Sequence, residues 1–173
     1  MIIDYTYFTG LLSVGLCPDT GAPSMTQDVD RERIQSYIDV YERVYLNKIL
    51  GEEMYGQFTD YLNSRQNSED NEPAEPATIE KWEKLYILLS EKYSPIACYV
   101  FFKYVAEGNY SVTRSGTVTS ADDDAVSPEV LQIRAWNDMV SYNQRVYRLL
   151  QEKEYEGVRF SAGMIQKINS LGI

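Results

Sequence analysis

The pattern of apolar residues predicts one long helix between Ser127 and Glu152. Its start is well specified, because Ser127 can cap free backbone N–H groups, Pro128 suits the first helical position and Glu129 complements the helix dipole. Apolar side chains cover more than half of its circumference, which is wider than the stripe of a surface helix. They are Leu131, Ile133, Ala135, Trp136, Met139, Val140, Tyr142, Val146, Tyr147, Leu149 and Leu150. We therefore expect at least two other elements to pack against this helix, as the hub of a helical core.

Two helices joined by a tight corner are predicted in the first third of the chain. The first begins near Thr26 or Asp28, and Gly51 is a typical stop at its C-terminal end. Its inner face has spacings of three and four and consists of Ile34, Tyr37, Ile38, Tyr41, Val44, Tyr45 and Ile49. The second helix follows at once, with apolar residues from Met54 to Leu62.

Two more helices are predicted before the hub. One restarts at Thr78, and Ser94-Pro95, a cap followed by a helix-starting proline, should divide it from the next helix or kink it. Its inward residues are Trp82, Leu85, Leu88 and Leu89. The segment from Ile96 to Ala106 is apolar nearly all round. We expect it to be the most buried partner of the hub helix.

Three segments are predicted to lie outside these helices. Residues 1–25 form an N-terminal arm and loop, in which Ile2 to Val14 is a short strand or an extended arm. Residues 63–77 are polar, acidic and proline-bearing, so a mobile surface loop is expected there. Beyond Gly157, apolar residues predict a weak final helix or a segment that clasps the bundle. They are Met164, Ile165, Ile168 and Leu171.

Residues 110–119 predict a small β-hairpin, with β-branched arms on both sides of Arg114-Ser115-Gly116. An isolated hairpin is marginal in water, so it must lean on the helices or on another subunit. We therefore predict a subunit interface there, formed by Tyr110, Val112, Arg114, Gly116 and Val118. For Arg114 the alternative is a solvated turn residue. Together, the patterns predict a mainly α fold: a single helical-bundle domain over residues 1–173, with five to six helices and one hairpin.

Composition narrows the classes of partner. The net charge of −10 disfavours a nucleic-acid binder, because Lys and Arg supply most of that affinity. Met1 to Gly15 has no basic region typical of a signal peptide, and the longest near-apolar run is too short to span a bilayer. We expect no membrane partner and an intracellular protein. The 15 tyrosines suit either an interface or a core of hydrogen-bonded rings, and both remain open.

Candidate chemistry is sparse. The chain has no histidine, and Cys17 and Cys98 are far apart, so zinc sites and histidine-dependent catalysis lose their usual groups. Phosphate-binding and nucleophile-elbow motifs are absent. Three acidic clusters lack the spacing of a calcium loop and are read as solvated carboxylates. They are Asp28, Asp30 and Glu32; Glu69, Asp70 and Glu72; and Asp122, Asp123 and Asp124. We expect no catalytic residue, no metal and no cofactor.

Short motifs in matching order carry a resemblance to a known family. They are Phe8-Thr9-Gly10; Tyr41-Glu42 with Leu46; Ile49-Leu50-Gly51 and Tyr55; Arg134-Ala135-Trp136-Asn137 with Met139; and Asn169, Gly172 and Ile173. With them the chain resembles a family of small proteins encoded by bacteriophages and prophages of gut bacteria. Its members look like helical head–tail connector proteins, also called adaptor or head-completion proteins, which form a ring under the portal.

The resemblance implies a non-enzymatic structural protein of virion assembly. Its partners would be further copies of itself in a ring and virion proteins such as portal or tail components, without sequence-specific nucleic-acid binding. It would lie in the host cytoplasm and then in the virion. The alternative is a small helical enzyme or a single-partner regulatory adaptor with a pocket between helices. Two inward carboxylates of raised pKa in one cleft would favour the enzyme.

Overall fold

The computed structural model describes residues 1–12, 25–66, 76–108, 110–113, 116–119 and 128–169. The protein is mainly helical, as predicted. The described α-helices are α1 (Met25–Leu50), α2 (Glu52–Gln66), α3 (Pro76–Leu89), α4 (Pro95–Gly108) and α5 (Pro128–Leu150). Two short strands, β1 (Tyr110–Thr113) and β2 (Gly116–Thr119), come between α4 and α5 in the order of the chain. Short 3-10 helices cover Tyr5–Tyr7, Gly10–Leu12, Lys153–Tyr155 and Ala162–Ile165.

The centre of the bundle is formed by α1, α4 and α5. Ring contacts pair Tyr37 with Tyr104 and Tyr41 with Tyr99, so α1 and α4 run antiparallel. The most extensive contact in the described structure joins α4 to α5, and α5 also contacts α3 and the 3-10 helix Ala162–Ile165. The prediction that α5 is a hub flanked by at least two elements is therefore confirmed.

Helix α4 begins as the sequence predicts and is fully buried over its first turns. The Ser94 hydroxyl accepts a hydrogen bond from the Ile96 N–H (3.1 Å) and donates to the carbonyl of Leu89, where α3 ends. One side chain thus caps α4 and fixes its angle to α3. Every residue from Ile96 to Phe101 is buried. The first half of the segment that was predicted to be the most buried partner of α5 is therefore buried as expected, whereas residues 102–106 are half-buried.

The corner between α1 and α2 consists of Gly51 alone. Its φ is +76°, which L-residues with a side chain rarely adopt, so glycine ends α1 and lets α2 start directly. Helix α2 then packs on α3, where the Phe58 and Trp82 rings lie 5.4 Å apart. The sequence predicts this corner correctly.

The loop predicted over residues 63–77 is shorter than expected at both ends. Helix α2 continues to Gln66 and α3 begins at Pro76. Long-range contacts explain the extension, because the Arg65 guanidinium pairs with the Glu83 carboxylate on α3 and stacks 4.1 Å from the centroid of Tyr86. Residues 67–75 of the predicted loop lie outside the described residues.

The N-terminal residues form an arm rather than a strand. Ile2, Ile3, Phe8 and Leu12 are buried against the helices, and two 3-10 turns interrupt the extended chain. The irregular spacing of these apolar residues fits such turns better than the strict alternation of a strand. The loop predicted before residue 25 lies outside the described residues.

Residues 156–169, which we call the return segment, run back along α5. Of the apolar residues that predict a final helix or a clasp, Met164 is buried, Ile168 is exposed and Leu171 lies outside the described residues. Apart from one 3-10 turn the return segment is not helical, so the clasp is the observed form. Among the described helices, none has the length and apolar character needed to cross a bilayer.

Candidate assembly surface

Strands β1 and β2 pair with each other in antiparallel register. Tyr110 pairs with Thr119, Val112 with Thr117 and Thr113 with Gly116. The sheet contains these two strands alone within the described residues, so each strand has one paired edge and one outer edge. Four of the predicted interface residues lie in these strands: Tyr110, Val112, Gly116 and Val118. Arg114 lies outside the described residues.

Five aromatic residues form a half-buried surface across α1, α4 and α5, which we call the aromatic surface: Tyr37, Tyr41, Phe102, Tyr104 and Trp136. Tyr37 and Tyr104 have ring centroids 5.3 Å apart, and Phe102 and Trp136 have centroids 5.0 Å apart. The Lys103 ammonium lies 5.4 Å from the centroid of the Tyr41 ring and 6.0 Å from that of the Phe102 ring. It therefore lies between the tyrosines of α1 and the pair of Phe102 and Trp136. Half-exposed tyrosine and tryptophan are typical of protein interfaces.

Charged groups surround the aromatic surface. The Arg33 guanidinium lies 5.3 Å from the centroid of Tyr104. The Tyr41 hydroxyl donates to the Glu107 carboxylate, and this hydrogen bond, with a smaller contribution from burial, raises the pKa of Tyr41 to about 12. Cations over ring faces keep the rings in place without covering them completely. The result is a partly exposed face with charged groups at its edge.

A polar chain inside the core positions α1, α5 and the return segment. The Tyr45 hydroxyl donates to Asn143 Oδ1, and Asn143 Nδ2 donates to the Met164 carbonyl at 2.8 Å. Tyr45 and Asn143 are completely buried. Burial raises the pKa of Tyr45 well above its usual range, so the hydroxyl stays protonated and acts as a donor. Asn143 was not predicted as a core residue, because it is a polar side chain on the apolar face of α5.

A second buried polar group, Glu42, holds the N-terminal arm. Its carboxylate accepts hydrogen bonds from the backbone N–H groups of Ile2 (3.0 Å) and Ile3 (3.1 Å). Burial raises the pKa of Glu42 above its usual range, and the two N–H donors partly offset this effect. From the sequence, Glu42 was noted only as part of the Tyr41-Glu42 motif that contributes to the phage resemblance. Its role in binding backbone groups was not predicted, because it depends on a contact between distant segments.

A groove of about 250 Å³ lies between α1 and α2, next to Glu42. Its floor is apolar, with Ile38, Leu46 and Leu62, and Asp39 is exposed on α1 at its rim. Both oxygens of the buried Glu42 carboxylate are occupied by backbone donors. The pair of inward carboxylates that would favour an enzyme is therefore not found in this groove.

The remaining candidate groups are the carboxylates of the acidic clusters and the two cysteines. Glu32 is exposed, whereas the other acidic side chains of the predicted clusters lie outside the described residues. No group of three metal-ligating side chains was found in the part of the chain that the structure describes. Cys98 is buried, and burial raises the pKa of its thiol to about 12, which is typical of an inert structural cysteine. Cys17 lies outside the described residues.

Comparison with known proteins found no match: no protein family, no curated protein and no solved structure is detectably similar to this chain.

Proposed function

We propose that this protein is a non-enzymatic subunit of a phage or prophage head–tail connector, which assembles into a ring with further copies of itself. The observation that carries the self-assembly is the two-stranded sheet of β1 and β2, whose outer edges have no strand partner among the described residues. An outer strand edge carries backbone N–H and C=O groups that can pair with another chain. The connector role itself rests on the resemblance to the phage family.

The aromatic surface supports this proposal through its partial exposure on α1, α4 and α5. Rings that are half-buried in one subunit can lose their remaining exposed area against a neighbour, which favours association. Aromatic contacts would then add to strand pairing.

The net charge of −10 suggests how such a ring would treat DNA. We propose that some of the carboxylates line the central passage, so that the DNA backbone is repelled and slides through. Electron cryomicroscopy of the assembled ring tests this arrangement. A passage lined by lysine and arginine would contradict it.

The alternative, a small enzyme or a single-partner adaptor, would use the groove between α1 and α2. That groove holds one buried carboxylate, Glu42, whose oxygens are already bonded to the arm. It therefore lacks the pair of inward carboxylates that would favour an enzyme, since its other carboxylate, Asp39, is exposed at the rim. The assembly role is the better supported of the two.

Native mass spectrometry across a concentration series tests the proposal. We expect a closed ring of many identical subunits for the intact chain. Replacing residues 110–119 by a Gly-Ser linker should abolish the ring. The matched control replaces residues 67–75 in the same way and should leave the ring intact. A strict monomer, both alone and with a portal protein of the same phage, would contradict the proposal.

A further inference from the structure

We infer that the return segment (residues 156–169) is exchanged between neighbouring subunits, so that the groove it fills on α5 receives the segment of the next copy. This inference rests on the self-assembly proposed above and identifies a second contact within the ring. The partner is therefore a second copy of this chain.

Helix α5 binds the main chain of the return segment through side-chain amide and indole groups. Asn137 pairs with both polar groups of Ile168: Oδ1 accepts from its N–H at 2.8 Å, and Nδ2 donates to its carbonyl at 2.9 Å. The Trp136 indole N–H donates to the Gln166 carbonyl at 2.8 Å. This is how a docking site recognises an extended peptide, and it works equally well whichever copy supplies the peptide.

The rest of the return segment is held by backbone contacts, by the Asn143–Met164 hydrogen bond and by the packing of Phe160 on Tyr147, all of which would also transfer. The Arg159 N–H donates to the Leu50 carbonyl (3.2 Å) and the Ser161 N–H to the Lys48 carbonyl (2.8 Å), at the end of α1. Within residues 156–169, all of which are described, Met164 alone is buried. Exchange preserves each of these contacts, so the two forms differ only at the hinge and at the new interface.

The hinge is Gly157. It has a φ of +97° and is exposed, and it follows Tyr155, which is buried and donates its hydroxyl hydrogen to the Lys81 carbonyl at 2.6 Å. The turn is closed by one backbone hydrogen bond, from the Val158 N–H to the Tyr155 carbonyl (3.1 Å). Glycine adopts either sign of φ at low cost, so a change at this residue redirects the segment while Tyr155 stays fixed.

The geometry of exchange suits a ring. One subunit gives its segment and receives another at a different surface, which is a head-to-tail contact that closes into a ring at the right rotation. The receiving groove includes Trp136, which also belongs to the aromatic surface. A neighbour that inserts its segment there would therefore lie beside the aromatic surface.

Isotope-coded photo-cross-linking tests the exchange. The photoreactive substitution Phe160→p-benzoylphenylalanine places the probe near Tyr147 of α5, since the two rings are 5.1 Å apart. Chains labelled with ¹⁴N and ¹⁵N are unfolded, mixed in equal amounts and refolded before irradiation. With exchange, about half of the cross-linked peptide pairs should carry both isotopes, as random mixing of subunits requires. The control Tyr86→p-benzoylphenylalanine on α3, whose ring lies 4.1 Å from the Arg65 guanidinium of α2 and outside the aromatic surface, should give single-isotope pairs.

A change at the hinge provides an independent measurement, because the groove contacts are the same in the closed and the exchanged form. Gly157→Ala strains the positive φ of the closed turn, so the exchanged form is favoured and the dissociation constant of the ring should fall by about fivefold or more. Gly163→Ala, in the same segment but without a positive φ and with open space around it, should leave the dissociation constant unchanged.

The outcomes separate the two proposals. Single-isotope pairs at residue 160 in a protein that forms rings would overturn the exchange and leave the ring proposal intact. A Gly157→Ala variant that assembles no more tightly than the intact chain would also overturn the exchange. A protein that never forms rings would overturn both.

Discussion

At the scale of single residues, the core depends on polar groups whose partners are far away in sequence. Asn143 and Glu42 are buried, and each binds backbone groups of a segment that has little regular structure of its own. Sequence patterns identify apolar faces well, because burial and periodicity are linked. They do not identify a buried amide or carboxylate, because its partner is fixed only when the tertiary structure forms.

We expect Tyr45→Phe to destabilise the protein by about 1–3 kcal/mol, because it leaves the buried Oδ1 of Asn143 without its donor. Tyr104→Phe on the neighbouring helix removes the same atom from a half-buried ring and should change stability by less than about 0.5 kcal/mol. Urea unfolding curves of the two variants give the comparison. Equal effects would show that the hydroxyl of Tyr45 has no special role.

Glu42 predicts a specific pH dependence. Its pKa is raised in the folded protein, mainly by burial, so the folded state binds this proton more tightly than the unfolded chain does. Its contribution to stability is fully present below its unfolded pKa of about 4.3 and is lost as the pH rises through the folded value.

The measurement compares the intact protein with Glu42→Gln. We expect the difference in free energy of unfolding, intact minus variant, to fall as the pH is raised from about 4 toward neutrality. Urea unfolding at a series of pH values gives this difference directly. A difference that grows with pH would mean that the N–H groups of Ile2 and Ile3 outweigh burial.

At the scale of elements, the ends of helices are the best predicted features. Gly51, Ser94 and Pro95 mark boundaries through local chemistry, and the structure has boundaries at these positions. The predicted end of α2 was wrong, because residues 63–66 are polar and were assigned to the loop. Their helical conformation is stabilised by the ion pair of Arg65 with Glu83 on α3. For the return segment, the sequence left a final helix and a clasp as alternatives. A segment that is bound through its main-chain atoms has no periodic pattern of apolar side chains from which its form could be predicted.

The corner between α1 and α2 gives a matched pair of glycine substitutions. Gly51→Ala should destabilise the protein by about 1–2 kcal/mol, since alanine is strained at positive φ. Its Cβ would also lie 3.1 Å from Cβ of Arg159. Gly56→Ala, in the interior of α2 with open space around it, should instead stabilise the protein by about 0.5–1 kcal/mol. Thermal unfolding of both variants measures the contrast, and shifts in the same direction would contradict it.

At the scale of the whole molecule, the sequence predicts the mainly helical class and the central pairing of α4 with α5. It does not predict which sides of the helices stay partly exposed. Tyr37 and Tyr104 lie on the aromatic surface, whereas Tyr45 and Tyr155 lie in the core. The core interpretation of the tyrosine content therefore applies to Tyr45 and Tyr155, whereas the interface interpretation stays a prediction for Tyr37 and Tyr104.

Charge makes a prediction about assembly. Subunits with a net charge of −10 repel one another, and salt screens this repulsion. We expect the dissociation constant of the ring to fall as the salt concentration rises from about 20 mM to about 200 mM, where the screening length is below about 10 Å. Sedimentation velocity at several concentrations measures it. Weaker association at high salt would indicate that opposite charges across the interface dominate.

The two tryptophans divide the molecule into regions that can be followed separately by light. Trp82 is buried between Phe58 and Tyr155, whereas Trp136 is half-buried and its indole N–H binds the return segment. The emission of an indole shifts to longer wavelength when water reaches it, so single-tryptophan variants would report on different events. Trp136 would respond when the return segment leaves α5, and Trp82 only when the packing of α2 on α3 is lost.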